Sequence, residues 1–166
     1  MTMLRRSVLT LSCALLPLSP ALSAQVQPDP IWGGYFNMGV FAAGGGSEAD
    51  GHLSLECSGE SLDDAGAFFL QLTTASRIEA FVDAPPELDF TIDGATFALP
   101  VTAENGKEFF YRSDPEDDAA TLALIGALRR GLELVVSAPE VNIAWISLRG
   151  SSRALVYVEQ CVREND

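Results

Sequence analysis

The sequence predicts a mainly β protein, α+β at the margin: an antiparallel sandwich or partly open barrel with one internal helix and a C-terminal helix. Three observations carry this. Several short runs alternate apolar with polar residues, an Asp-Gly pair separates two of them, and only two stretches combine helical spacing with end signals.

In chain order, residues 32–41 are the first strand candidate, and the glycine-rich stretch 44–51 reads as a loop. Leu53, Leu55 and Cys57 then alternate with Ser54, Glu56 and Ser58, which predicts a strand with one buried face. Further strands are expected at 67–72 and 77–82. Leu88, Phe90 and Ile92 alternate with acids and threonine, and Asp93-Gly94 separates that run from Ala95-Thr96-Phe97. Asp-Gly suits a two-residue turn with positive φ at both positions, so a hairpin is predicted over 87–100. The remaining strand candidates are 107–112, 132–137 and 142–148, punctuated by Pro85-Pro86, the polar stretch 102–107 and Ala138-Pro139.

The internal helix is announced by Ser113-Asp114-Pro115 and three further acids, and Arg129-Arg130-Gly131 closes it. These charges suit the helix macrodipole at both ends. Leu122, Ile125 and Leu128 supply its buried face. After Gly150, Ser151 or Ser152 is expected to cap a second helix with Ala154, Leu155, Val158, Cys161 and Val162 on one stripe.

The ends and the charge fix the class further. Residues 1–24 read as a signal peptide: Arg5 and Arg6 precede an apolar run at 7–18, and small residues follow at 19–24. That run is about 12 residues, short of the roughly 20 a membrane helix needs, so no integral membrane segment is expected after cleavage. Residues 25–30 form a leader and 31–166 a single β-rich domain. The chain carries 10 basic against 23 acidic residues, a net charge of -13. Cleavage would remove two basic residues, leaving 8 against 23, or -15. Such a surface repels a phosphate backbone, which argues against nucleic acid. The expected location is the periplasm or the exterior, and a protein partner attracted by charge should be basic.

Of three cysteines, Cys13 lies in the signal peptide, leaving Cys57 and Cys161 as one predicted disulfide in an oxidising compartment. Candidate catalytic sites are weak. His52 near Cys57 could form a nucleophile and base, Gly44 to Gly46 could cradle a phosphate, and Glu79 with Asp83 could act as paired carboxylates. Asp114, Glu116, Asp117 and Asp118 lack the alternating spacing of a calcium loop. No catalytic residue, metal or cofactor is assigned. The consecutive aromatics Phe109, Phe110 and Tyr111 are the candidate contact patch, since an alternating strand must point Phe110 away from the other two.

Within residues 122–158, Arg129, Arg130 and Gly131 close a helix before a strand; Ser147, Leu148 and Gly150 then lead into a helix containing Ala154. This segment resembles the closing part of the invasion-associated locus B type of secreted proteobacterial proteins. The resemblance implies an exported, non-enzymatic envelope protein linked to host interaction. Two alternatives are an acidic inhibitor of a cationic secreted enzyme such as lysozyme, and a hydrolase of unknown substrate.

Overall fold

Alternation becomes two antiparallel sheets whose inner faces share one apolar core. The structure, a computed structural model, describes residues 32–59, 67–81, 87–113, 118–139 and 141–164. The strands are β1 (Gly33–Asn37), β2 (Val40–Ser47), β3 (Gly51–Ser58), β4 (Phe68–Thr73), β5 (Glu87–Ile92), β6 (Ala95–Pro100), β7 (Thr102–Glu104), β8 (Glu108–Arg112), β9 (Glu133–Ala138) and β10 (Val141–Ser147). The helices are α1 (Asp118–Arg130), α2 (Ser151–Ala154) and α3 (Val156–Glu164). One sheet runs β1-β2-β3-β4-β8-β7 and the other β10-β9-β5-β6. This is the sandwich alternative of the sequence reading, with its internal and C-terminal helices, and among the described residues no barrel closes.

The core follows the predicted parities. Leu53, Leu55, Leu70, Leu72 and Phe109 from the six-stranded sheet join Leu88, Phe90, Leu134, Val136 and Ile146 from the four-stranded one. Leu124, Ile125 and Leu128 of α1 and Leu155, Val158 and Val162 of the C-terminal helices complete the cluster. The whole predicted stripe from Ala154 to Val162 is buried. Leu122, expected inside, is partly buried and packs at the cluster's margin.

The hairpin over 87–100 forms in the predicted register, Ile92 opposite Ala95 and Glu87 opposite Pro100. Asp93 and Gly94 have φ of 46° and 91°, as the tight turn requires. The Asp93 carboxylate also accepts the backbone N–H groups of Leu132 at 3.0 Å and Glu133 at 3.4 Å. One residue therefore both turns the hairpin and fixes the start of β9.

Several expectations need correction. Residues 32–41 are not one strand: Met38 and Gly39 take φ of 49° and 90° and turn β1 back onto β2. Residues 44–47 are strand rather than loop, pairing with β3 from Gly44↔Ser54 to Ser47↔Gly51. Their missing side chains are used sterically, because a β-carbon on Gly45 would lie 2.5 Å from the Trp32 ring. Residues 77–81 hold a 3-10 turn (Glu79–Phe81) instead of a strand. The polar stretch 102–107 contains β7 and the turn after it. Neither Ser151 nor Ser152 caps α2: Gly150 occupies that position with φ 94° and no side-chain bond. The buried Ser151 hydroxyl instead donates to the Leu128 carbonyl at 2.7 Å, tying α2 to the end of α1. The chain after Gly150 also breaks at Leu155, giving two helices in place of one.

Residues 1–30, where a signal peptide and a leader are expected, Pro85-Pro86 and the acids Asp114, Glu116 and Asp117 lie outside the described residues. No helix among the described residues is long and apolar enough to cross a membrane.

Candidate functional site

The expected disulfide is formed. Cys57 lies on the inner face of β3 and Cys161 on the buried stripe of α3, with Cα atoms 6.1 Å apart. His52 is five positions from Cys57, so alternation puts the two on opposite faces of β3. The bridge and that geometry together remove the nucleophile and base pairing. Glu79 is exposed and bonded to Arg77 at 3.0 Å, while Asp83 lies outside the described residues. Gly44 to Gly46 are committed to the β2–β3 ladder. Among the described residues, no three His, Cys, Asp or Glu side chains come together.

The three aromatics of β8 divide as alternation demands. Phe109 is fully buried and meets Phe81 edge-on at 6.0 Å, so it belongs to the core and leaves the contact patch. Tyr111 is half-buried and packs edge-on to Phe68 at 6.5 Å. Phe110 points the other way, onto the outer face. There it lines a groove with Ser54, Glu56, Phe69, Gln71 and Thr102. Most polar groups in this groove have partners within the chain. Gln71 donates to Glu108 at 3.3 Å, Thr102 donates to the Phe110 carbonyl at 3.4 Å, and Arg112 lies 4.9 Å over the Phe69 ring.

A second surface went unforeseen in the sequence. β1 is an edge strand that, among the described residues, pairs only with β2, and all five of its residues are exposed. Tyr35 is 61% exposed, Phe36 62% and Met38 85%, and Tyr157 on α3 adds another ring at 63%. Phe36 contacts Phe41 with ring centres 4.6 Å apart, and Phe41 stacks near Tyr157 at 6.3 Å. These rings, with Trp32, Gly34, Arg153 and Ala154, line a groove of about 560 Å³ between β1 and the C-terminal helices. Two close contacts fix its walls. The Trp32 indole N–H donates to the Ser147 carbonyl at 2.8 Å, and Gly34 lies so close to α2 that a β-carbon would be 2.7 Å from the Ala154 carbonyl.

The groove's rear wall is braced electrostatically. Glu159 of α3 bonds Arg129 of α1 and, at 2.7 Å, Arg163 one turn on. Burial pushes the Glu159 carboxyl up, but hydrogen bonds and charge from Arg163 and Arg129 outweigh it and hold the group below its ordinary value. Arg129 also donates to the Ser152 carbonyl at 3.3 Å, so one side chain of α1 ties α2 and α3 together.

Sequence alternation could not find this surface, because exposure of β1 depends on which strand ends up at the sheet edge. The only local signal was Tyr35-Phe36 beside Met38 in a segment without charge. Comparison with protein-family models, curated proteins and solved structures finds no match for this chain.

Proposed function

We propose that this chain is an exported, non-catalytic interaction protein that holds a macromolecular partner along β1 and the aromatic groove beside it. The observation that carries the reading is the exposure of Tyr35, Phe36 and Tyr157 around one groove, with Met38 exposed in the adjoining turn. Large apolar side chains clustered at a surface cost solubility and are retained where a partner covers them. Aromatic rings are also the side chains that most often dominate binding energy. The export part rests on the basic, apolar and small-residue order of residues 1–24, and the Cys57–Cys161 bridge suits an oxidising compartment. The resemblance of residues 122–158 to the invasion-associated locus B type supports a role at the envelope facing a host.

The net charge of -13 bears on how fast a partner arrives, whereas the groove bears on how long it stays. A basic partner is therefore favoured in approach and gripped through apolar contact. The test is capture from envelope extract and host-cell lysate, comparing the native protein with a Phe36→Asp, Tyr157→Ala double variant. Both positions are exposed, so the variant should keep its unfolding transition. A partner retained by the native protein and lost by the variant is the expected result. Equal retention, or turnover in a broad hydrolase screen, would overturn the reading.

A further inference from the structure

The four sheet edges are not treated alike. β7 is only three residues long and carries Glu104, and the chain runs from β6 through Val101 into β7, joining the two edges on that side. β10 has a register shift between Asn142 and Ala144, and the Trp145 N–H donates to the Asp50 carbonyl at 3.0 Å, so the β2–β3 turn lies over it. Short length, charge, bulges and cover are how sheets protect an edge from pairing with another chain. Among the described residues, nothing of this kind protects β1. Its sequence, Gly-Gly-Tyr-Phe-Asn, contains no charge and no proline, and its ladder to β2 runs without a bulge.

The register shows what β1 offers. The two-residue turn makes Asn37↔Val40 a hydrogen-bonded pair, and pairs alternate along an antiparallel ladder. Phe36 and Gly34 therefore turn their N–H and C=O groups away from β2, toward the free edge. A strand laid there would meet two donors and two acceptors spaced for a sheet. Every second side chain of that strand would fall on the groove side, over Phe36, Phe41 and Tyr157.

We infer that β1 takes an extended peptide segment as an added strand, and that the segment carries apolar side chains on alternate positions and a carboxylate for Arg153. Arg153 is the one charged side chain among the described lining residues, and it is exposed at the rim. A second copy of this chain fits poorly: β1 holds no carboxylate to meet Arg153, and each copy brings a net charge of -13. This inference rests on the docking role proposed for the edge and names its occupant.

Synthetic peptides test it on the full chain. The probe is acetyl-Thr-Val-Thr-Phe-Thr-Asp-amide, with a companion carrying Lys for Asp and another N-methylated at alternate amides. The Asp peptide should slow hydrogen exchange at the Gly34 and Phe36 amides and bind about threefold more tightly than the Lys peptide, as one exposed ion pair allows. Arg153→Ala should erase that preference and Arg153→Glu should invert it. N-methylation should abolish binding. Undiminished binding after N-methylation would reject the added strand, and equal affinity for both charged peptides would reject the carboxylate assigned to Arg153. Slow exchange at Gly34 and Phe36 in the peptide-free monomer would show the chain's own segment on the edge, and a dimer dispersed by Phe36→Asp would show a second copy. If the peptides fail while Phe36→Asp, Tyr157→Ala still loses its captured partner, the occupant is wrong and the docking edge stands.

Discussion

Cys57 and Cys161 are bonded across 104 positions of sequence, with their Cα atoms 6.1 Å apart, so the third strand and the last helix are covalently one unit. Phe41, one ring of the groove, is the register partner of Cys57, and Tyr157 stands one turn before Cys161 on α3. In the chain-entropy model, closing a loop of about 100 residues contributes roughly 4.7 kcal/mol, and native disulfides deliver about 2–5. Reduction, or Cys57→Ser with Cys161→Ser, should lower unfolding free energy by about 2–5 kcal/mol in denaturant titration. Intact mass after alkylation under denaturing conditions should show no free thiol at either position.

Glu159 gives the fold an acid-sensitive brace. Its folded carboxyl titrates below the ordinary value of 4.5, so its stabilisation is fully present above that value and is lost as pH falls through the lowered one. Glu159→Gln should cost roughly 1 kcal/mol near neutral pH, the scale of a partly exposed ion-pair network. Unfolding curves of native and variant protein should converge as the pH drops below 4.5. A gap that persists unchanged into acid would show that packing, and not the ion pairs, is what Glu159 supplies.

Gly45 and Trp32 are matched in shape. The Trp32 ring rests where a β-carbon on Gly45 would stand, and its indole N–H is bonded to Ser147. Gly45→Ala must push the ring out of place, and overpacking of this kind costs about 1–3 kcal/mol. A red shift of Trp32 fluorescence together with a lower denaturant midpoint is the expected outcome. Because Trp32 lines the groove, peptide binding should weaken in the same variant.

Legibility in the sequence follows the range of the interactions involved. The hairpin at 87–100 was readable because Asp93-Gly94 names its own turn, and the α3 stripe because 3.6-residue spacing is local. The disulfide was readable by elimination once Cys13 was assigned to the signal peptide. The Met38-Gly39 turn was not, since methionine rarely adopts the left-handed region and gives no hint that it will. Gly44 to Gly46 looked like a loop because the reason for three glycines in a strand is a ring from Trp32 and a close His52, which only the fold brings near. The aromatic edge was invisible for the same reason: Tyr35 and Phe36 would read identically in a central strand. What separates them is strand order, a tertiary property.

The β8 aromatics offer the sharpest division between folding and contact. Phe109, Phe110 and Tyr111 are consecutive, yet Phe109 is in the core, Tyr111 packs at its margin, and Phe110 stands on the outer face. Phe109→Ala should cost about 3–5 kcal/mol, as truncation of a fully buried ring does. Phe110→Ala should cost less than half as much, because the outer face leaves no closed cavity behind. Its effect on partner capture decides whether the outer groove contributes to binding. If capture is unchanged by Phe110→Ala and lost with Phe36→Asp, Tyr157→Ala, the partner is held at the β1 edge alone. If Phe110→Ala weakens capture at unchanged stability, the partner reaches across to the outer face, and the edge is only part of its footprint.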